Sequence, residues 1–141
     1  MSFKPILLPL LVQVLLTFGV WIYLYARRLP EISRNKIDPQ DLKDRVRAHE
    51  LMTESASASN NLKNLFELPV LFYVAVLLSL SLMIQDMLLA QLAWGFVIMR
   101  IIHSVIHCSY NNVSHRFIAY AVSCLFLMFM WVRLASFILM H

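Results

Sequence analysis

Four long apolar runs dominate this 141-residue chain and limit what it can fold into. They cover approximately residues 5–26, 65–84, 87–107 and 117–140. A helix needs about 20 mostly apolar residues to cross a bilayer, and only helices or closed barrels satisfy their backbone polar groups there. We therefore predict an all-α integral membrane protein, a bundle of four transmembrane helices that forms a single domain over residues 1–141.

The composition supports a membrane protein and excludes several alternatives. Hydrophobic residues make up 60% of the chain and charged residues only 14%, whereas soluble domains have about 45–50% and about 25%. Two glycines are too few for the many turns of a β-barrel. The first run continues into "YLYARR" without a small-x-small cleavage site, so we interpret it as a retained helix. The basic residues flank apolar runs, which favours membrane topology over nucleic-acid binding.

The hydrophilic segment 27–64 contains the clearest helix start. In "KIDPQDLKDRVRAHE", Asp38 is the predicted N-cap and Pro39 the first helical residue. The second helix is therefore predicted to begin at 39 or at 60 and to end near 84. The stretch 54–61 is a plausible interruption, and Pro69 should kink the helix.

Basic residues also predict the orientation. The segment 27–64 carries most of the Lys and Arg residues, whereas the connection 85–86 carries none. By the positive-inside rule, 27–64 and the connection around 108–116 are expected in the cytoplasm, with both termini outside.

Polar and ionisable residues recur near the predicted cytoplasmic ends of all four helices. Asn60, Asn64 and Glu67 share one helix face, and so do Arg100, His103 and His107. Such residues inside a membrane indicate function, and lone charges there need partners. We expect an ion pair between Glu67 and Arg100, in a net-positive cavity that opens to the cytoplasm and suits an anionic, soluble ligand. The other members of this predicted cavity are Arg27, Arg28, Lys63, Arg116 and Tyr120.

Three short motifs carry a resemblance to a known family. "NLFELP" at 64–69, "RIIHSVIH" at 100–107 and "RFIAY" at 116–120 together resemble the MAPEG family, the membrane-associated proteins in eicosanoid and glutathione metabolism. The chain is similar to a divergent, bacterial-type member, which implies the bacterial inner membrane. The resemblance also implies a homotrimer that binds glutathione between subunits, with membrane lipids and lipophilic small molecules as further partners.

The resemblance assigns roles to individual residues. Asn64 and Glu67 would hold the two ends of glutathione, while Lys63 and one of Arg27 or Arg28 would bind a carboxylate. Arg100, His103, His107 and Tyr120 would complete the glutathione site. Arg116 is the implied catalytic residue, because a fixed cation stabilises a thiolate. The implied function is a glutathione-dependent transferase or peroxidase acting on lipophilic electrophiles, with glutathione as co-substrate and His107 as a proton acceptor.

Departures from the family pattern leave other functions open. Asn60 replaces an arginine, His107 a tyrosine and Phe117 a serine at family positions. The main alternative is a non-catalytic membrane binding or scaffold protein on the same fold. A second is a metal or haem protein using His103, His107 and His115. We predict no metal, because Arg100 would repel a cation.

Overall fold

The computed structural model describes residues 3–140, and every regular element in that range is helical. The elements are α1 (Lys4–Arg34), a short 3-10 helix (Pro39–Lys43), α2 (Arg45–Leu51), α3 (Ala56–Leu65), α4 (Leu68–Ser81), α5 (Met87–Cys108) and α6 (Val113–Met140). Within that range, α1, the α3–α4 stretch Ala56–Ser81, α5 and α6 are long and apolar enough to span a membrane. The predicted all-α fold with four membrane-spanning helices is confirmed.

Helix α1 extends two turns beyond the predicted end at residue 26. Its additional turns form hydrogen bonds with the start of α3. The buried Glu31 carboxylate accepts N–H groups from Glu54 (2.7 Å) and Ser55 (3.0 Å). Arg34, the last residue of α1, forms an ion pair with Glu54. A carboxylate is favourable at a helix N-terminus, where N–H groups lack partners within the helix. These contacts join the two ends of the 35–55 loop.

The second spanning stretch is broken rather than continuous. Helix α3 ends at Leu65 and α4 begins at Leu68, so the kink predicted at Pro69 is a break at Phe66–Glu67. The helix predicted from Pro39 also divides. Asp38 caps the 3-10 helix through the Gln40 N–H (2.9 Å), and Asp44 caps α2 through the Val46 N–H (3.0 Å).

Helix α5 is the central helix of the bundle and packs against α1, α3 and α6. Its small residues allow close approach, as is common between membrane helices. A Cβ added to Gly95 would lie 2.5 Å from the Phe126 ring of α6. The buried Phe96 ring stacks on Phe72 of α4 at 4.8 Å between centroids. This packing fixes the rotation of α5 and therefore the direction of its polar residues.

Candidate functional site

Three basic side chains of α5 are buried inside the bundle. Arg100 is 0% exposed, and His103 and His107 are each 3% exposed. Their i, i+3, i+7 spacing puts them on one face, and α5 packs against both α3 and α6. We refer to these residues with Arg116 and Tyr120 of α6 as the cationic cluster.

Arg100 is held by a helix end. Its Nη2 donates to the Asn64 carbonyl at 3.0 Å, and its guanidinium carbon lies 5.9 Å from the centre of the Tyr120 ring. The break before Pro69 leaves the last carbonyls of α3 without full helical partners, and a helix C-terminus carries partial negative charge. The Nε and Nη1 atoms of Arg100 are buried and have no hydrogen-bond partner.

The prediction of an ion pair between Glu67 and Arg100 is wrong for the chain as the structure describes it. Among the residues that the structure describes, no salt bridge joins these two side chains. Glu67 is exposed, because it lies in the break between α3 and α4. The Asn64 carbonyl therefore takes the place that the carboxylate was expected to fill.

His103 has one ring nitrogen engaged and one free. Its Nδ1 lies 3.1 Å from the Arg116 carbonyl oxygen. A carbonyl only accepts, so Nδ1 carries the proton and, in the neutral ring, Nε2 carries the lone pair. The Nε2 atom is buried without a partner, and the His103 ring lies 6.0 Å from the Tyr120 ring. His103 thus has a free acceptor inside the cluster.

His107 belongs to a chain of hydrogen bonds that includes Arg116. Arg116 Nη1 lies 3.3 Å from His107 Nε2 and donates to Asn111 Oδ1 at 2.6 Å. On the other side of the ring, His107 Nδ1 lies 3.1 Å from Ser57 Oγ, which also bonds the His107 carbonyl. Arg116 can only donate, so Nε2 accepts and Nδ1 carries the proton. His103 therefore offers a free lone pair inside the cluster, whereas both ring nitrogens of His107, the acceptor suggested by the sequence, are engaged.

The remaining predicted site residues lie outside the cationic cluster. Arg27 is exposed and borders a cavity of about 200 Å³ with Tyr23 and Cys108. Arg28 and Lys63 line a different cavity, of about 410 Å³. The structure thus brings together Arg100, His103, His107, Arg116 and Tyr120, with Asn64 contributing its carbonyl.

The polar face of α3 that meets α5 is rotated from the one the sequence suggested. Ser57, Asn61 and Asn64 at i, i+4, i+7 contact α5, whereas Asn60 is exposed. The fully buried Asn61 accepts a hydrogen bond from Ser104 at 3.2 Å and donates to the Cys108 sulfur at 3.4 Å. The sequence contains the i, i+4, i+7 spacing of Ser57, Asn61 and Asn64, but the position of Glu67 favoured the adjacent face that includes Asn60.

The fold and the cluster define a class of protein: a multi-pass, all-helical membrane protein with buried cationic side chains near one end of its bundle. The MAPEG family model matches residues 6–136, nearly the whole chain, and the chain belongs to the MAPEG family. Comparison with curated proteins and with solved structures gives no significant match. Within residues 3–140, no group of three or more His, Cys, Asp or Glu side chains is arranged to hold a metal ion.

Membership of the MAPEG family indicates the general class of function. Proteins of this family generally use glutathione as a substrate, in membrane transferase, peroxidase or related functions. Four spanning helices and the family together make this chain a multi-pass integral membrane protein.

Proposed function

We propose that this protein is a glutathione-dependent transferase or peroxidase that acts on lipophilic electrophiles in the membrane. Glutathione binds at the cationic cluster, with Asn64 and Glu67 at its edge. Arg116 stabilises the thiolate, which attacks an electrophile or hydroperoxide that enters from the bilayer.

One observation carries this proposal: Arg100 is a fully buried cation with two unpartnered guanidinium nitrogens and no salt bridge among the described residues, and Glu67 acts on it only at longer range. A buried charge without a counter-charge is strongly unfavourable, and inside a membrane it marks a functional site. An anionic ligand would satisfy both nitrogens. Glutathione supplies two carboxylates for this role.

The chemistry follows from the fixed charge of Arg116. A free thiol has a pKa of about 8.5, and a cation beside it lowers that pKa. Both described side-chain bonds of Arg116 use Nη1, which leaves Nη2 and Nε for a thiolate. The proton that the thiol releases passes to water, because the neighbouring cations Arg100 and Arg116 disfavour a further positive charge on His103.

The proposal includes a homotrimer whose glutathione sites lie between subunits, and an orientation of the protein in the membrane. Glu67 is exposed within a spanning stretch, where a lone charge is unfavourable unless another chain or a ligand covers it. A neighbouring protomer beside the α3–α4 break would shield Glu67 and bring it to the bound tripeptide. The protein lies in a bacterial inner membrane with its 35–55 loop on the cytoplasmic side, where glutathione is available.

Thermal stability and turnover of the purified protein test the proposal together. Glutathione should raise the melting temperature in detergent, and conjugation of a lipophilic chloronitrobenzene or reduction of a lipid hydroperoxide should require both the protein and glutathione. Ophthalmic acid, which has no thiol, should stabilise the protein less than glutathione, because it lacks the thiolate that Arg116 stabilises, and should support no turnover. Mass measurement in detergent should give three copies per particle, and a monomer at all concentrations would contradict the shared sites.

The alternative of a non-catalytic binding protein has one supporting observation. Asn60, which replaces a family arginine, is exposed and bonds Asn64 through its carbonyl rather than adding a cation (3.5 Å). Stabilisation by glutathione without any turnover would favour this alternative.

A further inference from the structure

A second group of cations lies at the end of α1, outside the cationic cluster. A cavity of about 410 Å³, here called the basic cavity, lies where α1, α2 and α3 meet. Its polar lining consists of Arg28, Arg45, His49, Ser59 and Lys63, and none of its lining residues is acidic. The basic cavity therefore concentrates positive charge around a space large enough for a polar headgroup.

None of the cations that line the basic cavity forms a salt bridge among the described residues. Arg28 Nε is buried without a hydrogen-bond partner. Among the described residues, neither Arg45 nor Lys63 takes part in a salt bridge. Glu31 interacts electrostatically with Arg28, but its carboxylate oxygens bond backbone N–H groups of the loop. It does not line the cavity, where Arg28, Arg45 and Lys63 outnumber it. Clustered like charges repel each other, so an anion in the basic cavity is favourable.

An apolar groove leads towards the basic cavity along the same helices. The groove has a volume of about 450 Å³ and is mostly apolar. It is lined by Val14, Thr17, Phe18 and Trp21 of α1 and by Leu62, Phe66 and Tyr73 of the broken second span. Trp21 and Arg28 are seven residues apart on one face of α1, roughly 10 Å along its axis. On α3, Leu62 of the groove directly precedes Lys63 of the basic cavity.

We propose that the groove and the basic cavity together bind one anionic phospholipid, with an acyl chain in the groove and the phosphate headgroup in the cavity. A soluble anion would leave the groove empty, and a neutral lipid would leave the cations unpaired. Basic pockets between membrane helices near the cytoplasmic side are suited to anionic headgroups. This proposal does not depend on glutathione chemistry, because among the described residues no hydrogen bond or salt bridge joins its side chains to those of the cationic cluster.

Fluorescence of Trp21 tests the proposal, because this residue lines the groove. The chain has three tryptophans, so Trp94→Phe with Trp131→Phe leaves Trp21 alone. In neutral-lipid nanodiscs, phosphatidic acid with brominated chains should quench Trp21 at a mole fraction at least roughly tenfold lower than brominated phosphatidylcholine does. Native mass spectrometry of the unaltered chain should show the same preference as retained lipid adducts.

A matched pair of variants locates the headgroup. Arg45→Gln removes one charge from the basic cavity and should reduce the preference for phosphatidic acid several-fold. Lys43→Gln removes one charge from the neighbouring 3-10 helix, outside the cavity, and should leave the preference unchanged. Equal losses in both variants would mean that general surface charge attracts the lipid, and the proposed site would be wrong.

Two soluble competitors separate the lipid from other anions. Inorganic phosphate and glutathione, each at millimolar concentration and constant ionic strength, should leave the quenching by brominated phosphatidic acid unchanged. Displacement by phosphate would overturn the lipid assignment in favour of a soluble anion. Displacement by glutathione would assign the basic cavity to the thiol site, and equal quenching by both brominated lipids would reject a headgroup-specific site.

Discussion

A substitution of the single residue Arg100 can separate a role in ligand binding from a role in the stability of the fold. Replacing Arg100 with Met removes a buried cation whose only described hydrogen bond goes to the Asn64 carbonyl. Because an unpaired buried charge is unfavourable, the melting temperature of the ligand-free protein should stay the same or rise. The increase in melting temperature caused by glutathione should disappear. A large loss of stability without ligand would show that Arg100 supports the fold instead.

Glu67→Gln is the corresponding test on the other member of the predicted pair. Glu67 is exposed and forms no described salt bridge in its protomer. Because no counter-charge pairs with Glu67 in the ligand-free protein, removing its charge should leave the melting temperature unchanged or raise it, while the glutathione-induced shift should weaken. A loss of about 3–5 kcal/mol would instead indicate a buried ion pair, formed with Arg100 of the same or a neighbouring protomer.

The contact between α1 and the start of α3 can be tested through Glu31, because this residue connects the two helices. Glu31→Ala removes the acceptor for two N–H groups, and each unsatisfied buried group costs about 1–3 kcal/mol. We expect a lower melting temperature and faster proteolysis within the 35–55 loop. Glu50→Ala, in exposed α2, is the control. Equal proteolysis of both variants would contradict the connection.

The two glycines form a matched pair that tests the packing of α5 on α6. Gly95→Ala places a methyl group 2.5 Å from the Phe126 ring, so the ring must move; overpacking typically costs about 1–3 kcal/mol. Gly19 has no neighbour within 4 Å of its added Cβ, so Gly19→Ala should be neutral or stabilise α1 by about 0.5–1 kcal/mol. Equal melting temperatures of the two variants would contradict the close approach.

The sequence predicted the elements better than their contacts. Apolar length was enough to identify the four spans. Asp38 and Pro39 start a short 3-10 helix rather than the second span, and Pro69 follows a break where a kink was predicted. The rotation of α3 could not be predicted, since it depends on Asn61 packing between Ser104 and Cys108. The Asn64 carbonyl, which accepts a hydrogen bond from Arg100, could not be predicted for a related reason. No pattern of residue types indicates which backbone carbonyl a helix break leaves free. The division of Arg27, Arg28 and Lys63 between two cavities also depends on tertiary packing.

Orientation is a property of the whole molecule and can be tested without ligand. In a chain with Cys108 and Cys124 replaced by Ser, Gln85→Cys and Lys43→Cys provide exposed thiols at opposite ends of the bundle. The positive-inside rule predicts that a membrane-impermeant maleimide labels position 85 in intact spheroplasts and position 43 only after lysis. Labelling in the reverse order would place the 35–55 loop outside and would contradict the proposed access of glutathione to the site.

The central claim is that the cationic cluster binds glutathione and that Arg116 holds its thiol as a thiolate. The most direct measurement is the ultraviolet thiolate absorbance of glutathione titrated with protein at neutral pH. The unaltered protein should give about one thiolate per bound glutathione. Arg116→Ala should bind glutathione with a pKa of the thiol closer to its free value of about 8.5 and so lose most of this absorbance. Arg47→Ala, an exposed arginine of the loop, should behave like the unaltered protein. Full thiolate formation in Arg116→Ala, or none in the unaltered protein, would contradict the claim.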